Sequence, residues 1–98
     1  MNKMGIFEQV QEIKREVANW LYDRVISGVD EEDGSMDWIN FEDQDMQVFI
    51  HKVGGGNGEV CEYDVDIEFG NVPYSCGRIC SSMDVNEIFR AVSAMLFI

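Results

Sequence analysis

Residues 61–69, Cys-Glu-Tyr-Asp-Val-Asp-Ile-Glu-Phe, alternate apolar and acidic side chains without interruption. Successive side chains on a β-strand point to opposite faces, so a run of this kind must divide two different surroundings. Cys61, Tyr63, Val65, Ile67 and Phe69 are expected to face a core, and Glu62, Asp64, Asp66 and Glu68 to face water. A half-buried strand needs partners on both sides and a cover over its apolar face. The rest of the chain is therefore read for what supplies them.

Two further runs precede it. Residues 36–42 and 45–53 read as strands, joined by a tight acidic turn at Asp43 and Gln44, and the glycine-rich "GGGNG" at 54–58 leads into a third strand over 59–69. Pairing Phe41 with Met46 and Ile39 with Val48, then Ile50 with Cys61 or Tyr63, places Ile39, Phe41, Met46, Val48 and Ile50 on one face with Cys61, Tyr63, Val65, Ile67 and Phe69. The same register puts Trp38 opposite Phe49 on the acidic face, with Phe49 beside Glu62 or Asp64. Residues 70–82 contain Pro73 and paired glycines and read as a loop, with Tyr74 to Cys80 as the candidate for a short edge strand.

The cover comes from both flanks. Ile6, Val10, Ile13, Val17, Leu21 and Val25 recur at steps of three or four, the period of an amphipathic helix, and Gly28 is placed to stop it. Val85, Ile88, Phe89, Val92, Met95 and Leu96 form a second stripe, preceded by Asp84 with Glu87 three residues on, a capping arrangement, or by Ser82 as the cap. The expected fold is α+β: an antiparallel three- to four-stranded β-meander with N- and C-terminal helices packed on one face, in the order α-β-β-β-(β)-α. Residues 1–98 are expected to form a single domain of this kind. In element order this resembles the double-stranded-RNA-binding domain. The likeness implies topology alone, because the basic residues with which such a domain grips phosphate are missing.

Charge narrows the choice of partner. The formal net charge is −12, and its location is uneven: residues 30–69 hold 13 acids and one base, Lys52, whereas the flanking segments are neutral. Direct contact with nucleic acid or an anionic membrane relies on basic surface and is disfavoured. No apolar run approaches the ~18 residues of a membrane span. The N-terminus lacks the features of a signal peptide, and three cysteines, an odd count, suit a reducing compartment, so a cytoplasmic location is expected.

Candidate chemistry is sparse. "DEEDGSMD" at 30–37 has acids and a glycine but not the calcium-loop spacing, since Gly34 directly follows Asp33 and position 40 is Asn. Cys61, Cys76, Cys80 and His51 are zinc-type ligands, yet Cys61 faces the core and His51 faces away, so they do not converge, and a Cys–His nucleophile pair fails in the same way. "GGGNG" lacks the Lys-Ser/Thr and the helix of a phosphate loop. No enzyme, cofactor or metal is expected.

What remains is the acidic face. Trp38, Phe49, His51, Glu62, Asp64, Asp66 and Glu68 are the candidate partner-binding residues, an aromatic pair ringed by carboxylates that would anchor and steer a basic protein. The expected function is a non-catalytic binder of the inhibitor, immunity-protein or antagonist type. The row shows no cross-strand cation in the meander beyond Lys52, as if the partner supplied the positive charge. DNA mimicry is a narrower version: one strand presents a carboxylate about every 6.7 Å against a phosphate per ~3.4 Å of axis, so Asp37, Glu42, Asp43, Asp45 and the 30–33 loop would have to add a second line. The alternative is a homo-oligomeric module, a homodimer through the aromatic pair or an open sheet edge.

Overall fold

The computed structural model describes residues 5–27, 34–41, 44–55 and 58–96, and for residues 6, 27, 34–41 and 44 it describes the backbone alone. The expected turn at 42–43, the acidic loop at 30–33, the helix stop at Gly28 and the apolar Phe97 and Ile98 lie outside the described residues. The elements are α1 (Ile6–Ser27), β1 (Gly34–Phe41), β2 (Gln44–Gly54), β3 (Glu62–Phe69), β4 (Val72–Cys80) and α2 (Val85–Met95). The four strands form one open antiparallel sheet in the order β1-β2-β3-β4, a meander whose neighbours in space are neighbours in sequence.

Alternation sets which side of this sheet is covered. Met46, Val48 and Ile50 of β2, Tyr63, Val65 and Ile67 of β3 and Ile79 of β4 are buried, and they meet Val10, Ile13, Val17, Ala18, Leu21 and Val25 of α1 and Ile88, Val92, Met95 and Leu96 at α2. Both helices thus lie on the same face. They also pack on each other, where the Arg15 guanidinium sits 3.9 Å from the Phe89 ring centroid. Lys14 is buried on the inner side of α1, as a long aliphatic stem can be when its ammonium reaches outward. At α2 the capping box forms: the Glu87 N–H donates to Asp84 Oδ1 at 2.8 Å, and the Asp84 N–H donates to Glu87 Oε1 at 3.0 Å.

Segment 70–82 is where the fold goes beyond a loop reading. Gly70 and Asn71 both take positive φ, 56° and 66°, the requirement of a type I′ turn, and Phe69 pairs directly with Val72 across it. The chain therefore reverses in two residues and runs back as a full nine-residue strand. Pro73 is tolerated because β4 is an edge strand and the register shifts between Ile67 and Glu68, opposite it. Gly77 is needed for a different reason: a side chain there would press into Met95, with the sulfur 2.7 Å from a Cβ, so the missing side chain lets α2 approach. The fourth strand also separates this order of elements from the three-stranded RNA-binding pattern.

The registers differ from the expected ones by two residues at the first hairpin and by two or four at the second. Ile39 pairs with Met46 rather than Val48, and Phe41 with Gln44, while an irregularity between Met36 and Ile39 brings Ser35, not Trp38, opposite Phe49. Across the second hairpin Ile50 pairs with Val65 and Val48 with Ile67, which sets Phe49 against Asp66 rather than Glu62 or Asp64. A slip of two preserves which face each side chain occupies but changes its neighbours. β3 begins at Glu62, and Cys61 just before it is tied to Ser81 just past β4: its N–H donates to Ser81 Oγ and its carbonyl accepts from the Ser81 N–H, both at 2.9 Å.

Candidate functional site

The face of the sheet turned away from the helices carries the charge. Its three-strand rows are fixed by register: Glu68 of β3 lies between Gln47 and Pro73, Asp66 between Phe49 and Cys76, and Asp64 between His51 and Arg78, while Glu62 pairs with Cys80. Asp45, exposed at the head of β2, adds a carboxylate at the Glu68 end, where its carbonyl accepts from the Gly70 N–H. Glu62, Asp64, Asp66 and Glu68 therefore do line one face. Asp66 is exposed and Phe49 half-buried.

The row is not without a cation. Arg78, brought in by β4, donates from Nε to Asp64 Oδ1 at 3.0 Å and holds Nη1 3.6 Å from Glu62 Oε1. The expectation that only Lys52 served the meander fails because it left β4 out of the sheet. Arg78 divides the face. Its end of the row is partly compensated, one cation against two carboxylates, while Asp66 and Glu68 enter no ion pair among the described residues. The hydrogen bond to Asp64, reinforced by the charges of Asp64 and Glu62, holds the Arg78 guanidinium above its already high ordinary pKa. It is a permanent cation at any physiological pH.

A shallow cavity of about 700 Å³ opens on the uncompensated end, lined by Phe49, His51, Asp66, Glu68, Tyr74 and Cys76 among others. The Phe49 ring gives it an apolar wall. Tyr74 reaches it from the bulged start of β4 and also packs edge-on to Phe69, with centroids 5.0 Å apart and planes at 83°. Of the expected site residues, Phe49, His51, Asp64, Asp66 and Glu68 all line this cavity, whereas Glu62 lies beyond it in the ion pair with Arg78. The Trp38 side chain lies outside the described residues, as do those of Asp37, Glu42 and Asp43, so the second line of acids is represented by Asp45 alone.

The thiols and the imidazole are dispersed. Cys61 packs against the core, Cys80 lies 3.1 Å from the Ser82 hydroxyl, and Cys76 is exposed on the outer face, two strands away from His51. Among the described residues no cluster of three His, Cys, Asp or Glu side chains is arranged to hold a metal ion, and no helix is long and apolar enough to cross a membrane. Comparison with known protein families, with curated proteins and with solved structures returns no match.

Proposed function

We propose that this protein is a non-catalytic binder whose uncovered sheet face engages a basic protein. One observation carries the reading: both helices cover the opposite side, leaving a face where Asp45, Asp66 and Glu68 stand without an ion pair among the described residues, beside the half-buried ring of Phe49. Like charges held roughly 7 Å apart along a strand repel, and a partner that brings cations relieves that repulsion on binding. Basic partners are also drawn in by the net charge of −12. An inhibitor, immunity protein or antagonist would use such a surface, and a nucleic-acid mimic is one form of it. A homodimer through the free edge of β4 is the competing reading. Pro73, the irregular register beside it and the charge of Arg78 all weigh against edge-to-edge pairing there.

The test is affinity capture with the purified chain, the captured proteins being identified by mass spectrometry. Basic proteins are expected, in amounts that fall as ionic strength rises. The Asp45→Asn, Asp66→Asn, Glu68→Gln variant should lose them while its circular dichroism is unchanged. Undiminished capture by that folded variant would overturn the proposal.

A further inference from the structure

The outer face already holds one guanidinium against a pair of carboxylates. Along β3, Glu62 and Asp64 stand two residues apart, and one guanidinium, that of Arg78, serves both. Asp66 and Glu68 repeat the same two-residue spacing one step further along the same strand. Here the residues across on β4 are Cys76 and Pro73, a thiol and an imide ring, and neither can offer a charged donor. Pro73 stands to Glu68 as Arg78 stands to Asp64, and Cys76 stands to Asp66 as Cys80 stands to Glu62, since each is the directly paired residue. The second carboxylate pair thus repeats the spacing of the first without its cation, and the register shift between Ile67 and Glu68 opens it toward Tyr74.

We infer that the Asp66–Glu68 pair and the adjoining cavity receive an arginine side chain of a protein partner. This rests on the reading of the face as a surface for a basic protein and names the group that enters it. A planar guanidinium donates to two carboxylates at once and lies against an aromatic face more readily than an ammonium does, and Phe49 flanks Asp66 on the side away from β4. The cavity is open and shallow, suited to a side chain presented on another surface and able to release it into solvent when the partner leaves. Salt screens the ion pairs and weakens the seat, while the planar fork of the guanidinium sets its preference for arginine.

Nitrogen-15 amide spectra of the full chain, titrated with a blocked glycine peptide carrying one central arginine and with its lysine twin of equal charge, test the inference. The arginine peptide should shift the amides of Phe49, Asp66, Glu68 and Cys76 and bind severalfold tighter than the lysine peptide. Asp66→Asn with Glu68→Gln should abolish the shifts. Cys76→Arg should abolish them by another route, because an arginine directly across from Asp66 takes up that carboxylate from within, and its thermal midpoint should rise rather than fall. Equal binding of both peptides, or shifts spread evenly over Glu62 and Asp64, overturns the arginine seat and leaves the acidic face as a general surface for basic proteins. No shift with either peptide overturns it as well. Arginine-selective shifts that persist in Cys76→Arg would also count against it.

Discussion

Arg78 and Asp64 face each other across the β3–β4 ladder, guanidinium Nε to carboxylate Oδ1 at 3.0 Å, with both side chains about half open to solvent. This contact decides how the acidic face is divided. It is a surface ion pair, and water and salt screen it. Replacing Arg78 with Gln should lower the thermal midpoint slightly at low ionic strength and not measurably at high salt. The same substitution should strengthen capture of basic partners, since it releases Glu62 and Asp64.

The pH dependence of that contact follows from its sign. Asp64 and Glu62 raise the pKa of Arg78 in the folded protein above its unfolded value. A raised cation stabilises fully below its unfolded pKa and loses that contribution only as pH climbs through the folded one, far into the alkaline range. The difference in urea midpoint between wild type and Arg78→Gln should therefore stay flat between about pH 6 and about pH 9. A slope across that window would assign the effect to another group.

At the β2–β3 connection, Gly55 and Gly58 have the same backbone sign, φ of 88° and 89°, in different surroundings. A Cβ on Gly55 would collide with the Val60 carbonyl oxygen and stand 2.6 Å from the Cys61 Cα, while one on Gly58 meets open space. Gly58→Ala should cost on the order of 1 kcal/mol, the left-handed penalty alone. Gly55→Ala should cost clearly more, about 2 to 3 kcal/mol, because rigid backbone must move. Chemical denaturation of the two variants separates strain from collision.

Asn71 is the non-glycine residue at positive φ in the two-residue turn between β3 and β4. Asn71→Gly should be neutral or better, and Asn71→Val should lose roughly 1 to 2 kcal/mol, since a β-branched residue resists that conformation. Because β4 depends on this turn, hydrogen exchange of the β4 amides should speed up in Asn71→Val before that of β2 does.

Burial separates two large apolar residues on the helices. Ile88 of α2 has no exposed surface, and Phe7 of α1 is 72% exposed. Ile88→Ala should cost about 2 to 5 kcal/mol, and Phe7→Ala should stay within about 0.5 kcal/mol. Urea midpoints of the two proteins provide the check.

The sequence was most legible where one periodicity ran long enough to exclude others. The stripe from Val10 to Val25 and the alternation from Glu62 to Phe69 each identify an element and its buried side, and the Asp84–Glu87 spacing marks the start of α2. Register was less legible. Apolar alternation repeats every two residues, so a slip of two leaves the core face intact and only the turns distinguish the alternatives. The cost of that ambiguity fell on Phe49, whose neighbour is Asp66. β4 was obscured by Pro73 and Gly77, which read as loop residues until the edge position of one and the close helix over the other are known. A signal was present in Gly70–Asn71, a dipeptide suited to a two-residue reversal between strands. With it, Arg78 would have been placed across from the acids.

The meander has a kinetic corollary. Every strand pairs with the one before it, so the sheet can grow hairpin by hairpin from short loops, which favours rapid assembly. Its apolar side is different, for Ile88, Val92, Met95 and Leu96 all come after the last strand. A nascent chain emerging from the ribosome would hold an open sheet with only α1 over its apolar side until that final helix arrived, and it is in this interval that a chaperone would find it.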